Sequence, residues 1–521
     1  MKTVLKIGIL CLALAGLTSC EDFLTYNKYG EPSSDRFWMT ENDALRAADG
    51  LYFWTGEAGV VGRGFMHYYN CSDDVVTGRT QAGCAAMKNF TADYSRDVVD
   101  NWPKMYQLIK RCNDIILNVP DMNISEDTKA KVLGQAYFFR AWAYFWIAPY
   151  YGDNGENGGI PIVEPGLAVD ELDVPRVKSV RDNYAYCIED FEKAAALLPD
   201  FKEWGEADYG RPHKTACWAY IAKVALFDAQ YDASSYATTI EYCDKVINSG
   251  KNRLLDNFAD VFKIENNYSD EYIFSSPSSE VAGSFLPGAL LENKGWGQYN
   301  GWGYFTPTIE LVEAFEVGDK RLPATILQPG DKFFFLGQEK VYYSNESLSG
   351  MQFNKYMDPF KAADAIGTTV NPNGDNPTTS LNIPLIRYAE VLLMKAEALI
   401  WQGQNGDAPL NEVRKRAGLS PKQNATKEDL MNERRCELAG EFSNRMLDLI
   451  RWGVAKNYVE KPLHGYSVKA KIPVPQSKDD LEITEIEAWP SRTFNASVNH
   501  VFPIPTNEIS KSKNLIQNKG Y

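Results

Sequence analysis

Histidine is scarce in this chain. There are four in 521 residues, His67, His213, His464 and His500, and no two lie close enough in sequence to suggest a metal pair. No H-E-x-x-H, G-x-S-x-G, Walker loop or kinase signature is present. The glycines from Gly56 to Gly64 lack the strand-turn-helix setting of a phosphate loop. A glycosidase needs only two carboxylates about 5 to 10 Å apart, yet no motif nominates any pair among the 69 acidic residues. The expectation is a protein without catalytic residues, metal or cofactor. Positive charge is also short: 54 Lys and Arg leave a net charge of −15. That balance argues against nucleic acid and against a polybasic grip on anionic lipid. No C-x-x-C occurs, and seven cysteines remain beyond Cys11 and Cys20, an odd number at irregular spacings. A disulfide framework is not expected, although Cys71 and Cys84 lie in one loop region and a pairing between them stays open. Beyond residue 19 no run reaches 18 consecutive apolar residues, so no spanning helix is expected.

What is present begins at the amino terminus. Lys2 and Lys6 precede an apolar stretch from Ile7 to Leu14, and Leu17-Thr18-Ser19 runs into Cys20. This is the order of a bacterial signal peptide, residues 1–19, ending in a lipoprotein cleavage box. Cys20 is the expected lipidation site, and two or more acyl chains would hold the protein to a membrane. Residues 20–37 read as a polar tether. Aromatics are abundant, with 12 Trp, 29 Tyr and 25 Phe. In a secreted protein such residues on loops suit the apolar C–H faces of sugar rings.

The body reads as mainly α. Ala44, Ala47, Ala48 and Leu51 form one helical face, and Trp102 to Leu117 another amphipathic helix, with an irregular, Gly-rich stretch over 56–100 between them. Val132 to Ile147 pairs with Tyr184 to Leu198, where Cys187, Phe191, Ala194 and Pro199 fall at the offsets of a tetratricopeptide second helix. Ala216 to Ala229 with Tyr236 to Ile247, and Tyr388 to Trp401 with Pro409 to Arg416, make two further pairs. Such pairs stack because one cannot bury its own apolar face. Residues 265–380 differ: rich in Gly, Asn, Ser and aromatics, with short alternating segments at Lys332 to Leu336 and Lys340 to Tyr343. The expected architecture is tetratricopeptide-like helical pairs over 38–264 and 381–521 carrying an inserted loop-rich subdomain with short strands. The charged run Glu433 to Trp452 reads as an amphipathic helix with a Glu441–Arg445 pair, structural rather than catalytic.

These segments together carry a resemblance. Cys20-Glu21-Asp22-Phe23-Leu24, Phe37-Trp38, Asp43-Ala44-x-x-Ala47, Tyr150-Tyr151-Gly152-Asp153 and Gly159-Ile160-Pro161-Ile162-Val163 are similar to the SusD/RagB family of Bacteroidetes outer-membrane lipoproteins. So are Arg387-Tyr388-Ala389-Glu390-Val391-Leu392-Leu393, Arg414-x-Arg416-Ala417-Gly418-Leu419, Glu433-Arg434, Arg451-Trp452-Gly453, Pro503-Ile504-Pro505 and the closing Gln517 to Tyr521, although Lys519 stands where proline is usual. The resemblance implies four tetratricopeptide-like pairs and a non-catalytic, surface-exposed protein that binds oligosaccharide or polysaccharide. It also implies a SusC-like TonB-dependent transporter as partner. The competing expectation is an interaction lipoprotein of the outer membrane whose repeats bind a protein and no sugar.

The family builds its ligand site from two loop regions. The second reads Gly295-Trp296-Gly297-Gln298-Tyr299-Asn300-Gly301-Trp302-Gly303-Tyr304 here, four aromatics spaced by glycine with little apolar pattern to bury them. Trp296 and Tyr299 are the leading candidates for stacking; Trp302 and Tyr304 belong to the same set, though Trp302-Gly303 recurs in the family and suits a structural role too. The first region offers Tyr68, Tyr69, Asn70, Asp73, Asp74, Arg79 and Asn89, polar and charged groups suited to sugar hydroxyls. Asp73 lies in Ser72-Asp73-Asp74, a sequence common in the family, and serves equally well as a loop brace.

Overall fold

The computed structural model describes residues 37–77, 82–91, 101–279, 291, 301–344, 346–361, 368–369 and 378–521. Its principal helices are α1 (Glu41–Asp49), α2 (Arg63–Tyr69), α3 (Asn101–Asn118), α4 (Glu126–Tyr151), α5 (Val180–Leu197), α6 (Lys214–Asp228), α7 (Ser235–Asn248), α8 (Tyr388–Trp401), α9 (Asp407–Ala417), α10 (Lys427–Leu438) and α11 (Arg445–Arg451). Starts are written into the sequence as caps. Thr40 and Asp43 form a capping box at α1, Ser179 and Asp182 at α5, and Thr426 and Asp429 at α10. Gly418, in a left-handed conformation, ends α9.

The long helix α4 is the axis of the scaffold. Ser125 caps it, and from Val132 to Tyr151 nearly every side chain is buried. Helix α5 lies close along it because Gly134 leaves room; a Cβ there would sit 2.7 Å from the Leu198 side chain. Arg140 of α4 donates two hydrogen bonds to Asp190 of α5, at 2.7 and 2.9 Å, and a third to Asn113 of α3. Phe138 then meets Phe191, Tyr220 and Phe274, each edge-on, joining α4, α5, α6 and the first strand of the insertion in one aromatic core. Neighbouring pairs α4–α5, α6–α7 and α8–α9 pack in succession, with α8 against α7 and α10. This is the helical-pair scaffold expected from the periodicity.

Among the described residues the strands pair two by two and antiparallel. β2 (Tyr272–Ser276) pairs with β6 (Ile383–Arg387), so the chain leaves the scaffold for the insertion and returns to it at one place. Within the insertion β4 (Lys332–Phe335) and β5 (Gln338–Val341) form the hairpin that the alternation predicts, turned through Leu336 and Gly337, both at positive φ. β1 (Val75–Thr77) pairs with β3 (Phe305–Pro307).

Two expectations need correction. The 56–100 stretch is not simply irregular: within it Ala58–Val61, α2 and Ala82–Lys88 are helical. Its glycines permit tight packing, since a Cβ on Gly64 would fall 1.7 Å from the Gly59 carbonyl oxygen. The C-terminal region is not all helical either; β7 (Leu463–Ala470) and β8 (Leu481–Trp489) make an eight-register hairpin. The alternation in Leu481 to Trp489 was a readable strand signal.

Phe191 stacks on Tyr220 at 5.4 Å and is fully buried. Phe191→Ala is expected to destabilise the fold by about 3–5 kcal/mol through the cavity left behind, measured by denaturant melts.

Candidate functional site

The β1–β3 ladder brings the two loop regions together. Val75 lies opposite Pro307, Val76 opposite Thr306 and Thr77 opposite Phe305. In an antiparallel pair the exit of one strand lies beside the entry of the other. The chain leaving Thr77 and the chain arriving at Phe305 therefore share one edge, although 228 positions separate those residues in sequence. On the described part of this edge Trp302 is partly exposed, with the Arg63 guanidinium 5.9 Å from its ring centre. Gly303, at φ +59°, turns the chain between Trp302 and the buried Tyr304, whose ring is 5.9 Å away. Asn89 is exposed, and its side-chain oxygen accepts a hydrogen bond of 3.0 Å from the Trp489 indole of β8.

Beneath this edge the turn from Asn70 to Val75 is held by four buried cations. Lys88 donates to the carbonyls of Asn70 and Val75, both at 2.8 Å. Arg492 donates to those of Cys71 and Ser72. The side chains face the other way: Arg435 lies 2.6 Å from Asp74 and 2.9 Å from Asp73, and Arg445 donates to Asp73 at 3.1 Å. Thr308, just after β3, donates from its amide to the Asp74 carbonyl and from its hydroxyl to that of Asp73. Burial pushes the Asp73 carboxyl up, but Arg435 and Arg445 more than reverse this and hold it well below the usual carboxylate range. Burial, reinforced by Arg492, pushes the Lys88 ammonium well down.

Two further sets of buried ion pairs draw on α10 and α11, the helices that carry Arg435 and Arg445. Arg387, at the end of β6, donates to Glu441 and Glu437 at 2.6 Å and to Glu271 at 2.8 Å. Arg416 pairs with Glu271 and Glu437, and Arg321 with Asp319, Glu433 and Glu437. Arg434 bridges Glu390 and Asp448, and Arg451 bridges Glu397 and Asp448. The structural reading of the Glu433–Trp452 run fits this arrangement, but the Glu441–Arg445 pair does not form. Helix α10 ends at Leu438, Gly440 adopts φ +75°, and the break sends Glu441 to Arg387 and Lys355 while Arg445 turns to Asp73. Among the described residues no group of three or more His, Cys, Asp or Glu is placed to hold a metal.

Comparison with known proteins follows this architecture. The family model described as the SusD family matches residues 226–521, more than half of the chain, and one described as "starch-binding associating with outer membrane" matches residues 68–226. The chain belongs to the SusD family. A SusD-like protein of Formosa agariphila is 25% identical, over 90% of this chain and 96% of the relative. The starch-binding protein SusD of Bacteroides thetaiotaomicron is 24% identical over 67% of each. Among solved structures, a SusD-like protein from Bacteroides fragilis superposes with a TM-score of 0.77 at 24% identity, covering 94% of this chain and 99% of that one. A laminarin-binding SusD-like protein gives 0.73 at 23%, covering 93% and 100%. Surface glycan-binding protein A from Bacteroides thetaiotaomicron, in complex with laminarihexaose, gives 0.70 at 21%, covering 92% and 99%.

The candidates read from this SusD-family sequence separate into three groups. Trp296, Tyr299 and Arg79 lie outside the described residues. Trp302 is partly exposed at the shared edge, and Asn89 is exposed just after the helix Ala82–Lys88. Tyr68, Tyr69, Asn70, Asp73 and Asp74 are corrected to bracing roles, because all five are buried. The Tyr68 hydroxyl lies 2.5 Å from that of Tyr151, and its ring stacks on Tyr150. Tyr69 donates to Asp74 and accepts from the Gly440 amide. The Asn70 carbonyl is taken by Lys88, and Asp73 by the two arginines. Tyr304 is likewise mostly inside, and its ring supports Trp302. Cys71 is buried, its sulfur 3.4 Å from the Met87 carbonyl oxygen, and the Cys84 side chain lies outside the described residues. Arg63, Lys88, Trp489 and Arg492 escaped the sequence reading, since each is an isolated residue in an unremarkable local pattern.

Glu437, Glu441, Asp448 and Asp73 are all buried and all held below the ordinary carboxylate range, because their arginine and lysine partners outweigh burial. A carboxylate whose folded pKa is depressed stabilises the fold above its unfolded pKa and loses that contribution as pH falls through the folded one. Glu433, Asp190, Asp331 and Glu412 run the opposite way because burial dominates there, but they are outnumbered, since Asp153, Glu316 and Asp429 are held down as well. The melting temperature is therefore expected to fall progressively below about pH 4, read by calorimetry from pH 7 to pH 3. Glu441→Gln, which strips a charge from buried Arg387 and Lys355, is expected to cost about 3–5 kcal/mol at neutral pH.

Proposed function

We propose that this SusD-family chain is a glycan-binding protein of the outer membrane, anchored by lipid on Cys20 and facing the exterior. It captures oligosaccharide or polysaccharide at the shared edge of the two loop regions, performs no chemistry on it, and passes it to a SusC-like TonB-dependent transporter. The observation that supports the reading is the pairing of Val75–Thr77 with Phe305–Pro307, which joins the described ends of the two regions, Thr77 and Trp302–Phe305, on a rigid scaffold. Loops fixed on such scaffolds are the common seats of binding. The names of the relatives, starch-binding, laminarin-binding and surface glycan-binding, agree with it. Outer-membrane placement draws on the family description and on the L-T-S-C order before Cys20. The interaction-only alternative requires no aromatic loop of this kind.

A glycan-array screen followed by titration calorimetry tests the binding claim. Trp296→Ala and Tyr299→Ala are each expected to weaken binding of the glycan so found by about 1–3 kcal/mol, with melts close to wild type. Normal binding by both variants moves the stacking role elsewhere on the edge. No reducing ends are expected to be released from the bound glycan. Cys20→Ala is expected to abolish surface labelling of intact cells, because acyl burial is the membrane attachment the sequence offers.

A further inference from the structure

We propose that Asn89 meets the glycan as a hydrogen-bond donor, and that Trp489 is the positioning residue that makes it one. The inference rests on the glycan-binding reading above and assigns chemistry within that site.

An asparagine amide presents an acceptor oxygen on one side and a donor NH2 on the other, and its neighbours decide which group faces out. At Asn89 the neighbour is the Trp489 indole, 3.0 Å from Oδ1. An indole N–H can only donate, so the oxygen must face Trp489 and Nδ2 must face away. Asn89 is exposed on the rim of the first loop region, and no described residue accepts from Nδ2.

Both partners are fixed. Trp489 is 8% exposed and packs with Val76 of β1, Leu463 of β7 and Ala85, which lies on the same short helix as Lys88. The Lys88 ammonium lies 5.7 Å from its ring centre while donating to the carbonyls before and within β1. On the other side the chain turns through Phe90 at φ +57°, a conformation unusual for a bulky residue. It is held there by the Phe494 ring at 5.2 Å and the Arg492 guanidinium at 5.6 Å. The backbone on either side of Asn89 is thus determined by buried groups, and its amide is set by a residue 400 positions away. A fixed donor favours sugar oxygens that can only accept: ring and glycosidic ethers, acetamido carbonyls and carboxylates. A hydroxyl could have satisfied either face of a freely flipping amide.

The test uses the purified protein with the glycan selected on the array, laminarihexaose included among the probes. Asn89→Asp keeps the shape and removes the donor. Trp489→Phe keeps a ring against Lys88 and removes the N–H. Each is expected to weaken binding about 3- to 10-fold, the range of one net hydrogen bond, with melting temperatures near wild type. The double variant is expected to lose little more than either single one, because both remove the same contact. Without ligand, exchange of the Trp489 indole proton is expected to be faster in Asn89→Ala than in wild type. Unchanged affinity in either single variant overturns the inference while leaving the glycan-binding reading intact, as do multiplicative losses in the double variant. A wild type that binds no glycan on the array overturns that reading, and this inference with it.

Discussion

Arg387 is the residue through which the parts of this molecule are held in relation to one another. It ends β6, where the chain returns from the insertion, and immediately precedes α8. Its guanidinium reaches Glu271 next to β2, Glu437 in the last turn of α10 and Glu441 beyond the break in the helix. Three carboxylates from three places converge on one cation that is 1% exposed. A buried pair of charges contributes little net stability, since removing ions from water costs as much as their attraction returns. A directional fork of five N–H groups does something that apolar packing does poorly: it fixes the angle between the insertion, the scaffold and the C-terminal helices. Removing one partner is costly because it strands the others without solvent.

From that centre helix α10 leads toward the edge shared by β1 and β3. Helix α10 places Arg434 toward the scaffold, where it meets Glu390 and Asp448, and Arg435 toward Asp73 and Asp74. These are consecutive residues, pointing to different faces because successive helical positions are about 100° apart. One face of the helix ties into the repeats and the next holds the turn before β1. Thr308 then hands the same turn to β3. The described edge thus inherits its rigidity from α10.

The scaffold was legible in the sequence for a plain reason. Helical pairs are stabilised locally, by periodic apolar faces and caps, so Phe191 and Ala194 in α5 or Tyr388 to Trp401 in α8 announce themselves within one window. The β4–β5 hairpin was readable likewise, from alternation over a few residues. The site was legible only in part. Its membership came from resemblance, which identifies segments but does not say which side chains face outward. Tyr68 and Tyr69 have the composition of ligand contacts and the burial of core; the difference is made by Tyr150, Tyr151, Asp74 and Gly440, all set there by tertiary structure. The Glu441–Arg445 pair failed because a window of four assumes a continuous helix, and Gly440 breaks it.

The C-terminal hairpin shows why such a site resists reading along the chain. β8 is far from both loop regions in sequence, yet its last residue packs on β1 and bonds Asn89. Position 89 belongs to the first loop region, 305 to the insertion and 489 to the C-terminal region, so the edge is completed only when all three have folded onto one scaffold. The aromatic segment before Phe305 joins the scaffold at β3, and β1, α10 and the hairpin hold that end. The buried cations around Asn70–Val75 act at the entry to β1: Lys88 and Arg492 are spent on main-chain carbonyls, contacts that ignore side-chain identity and hold the backbone of the turn whatever the loop above it contains.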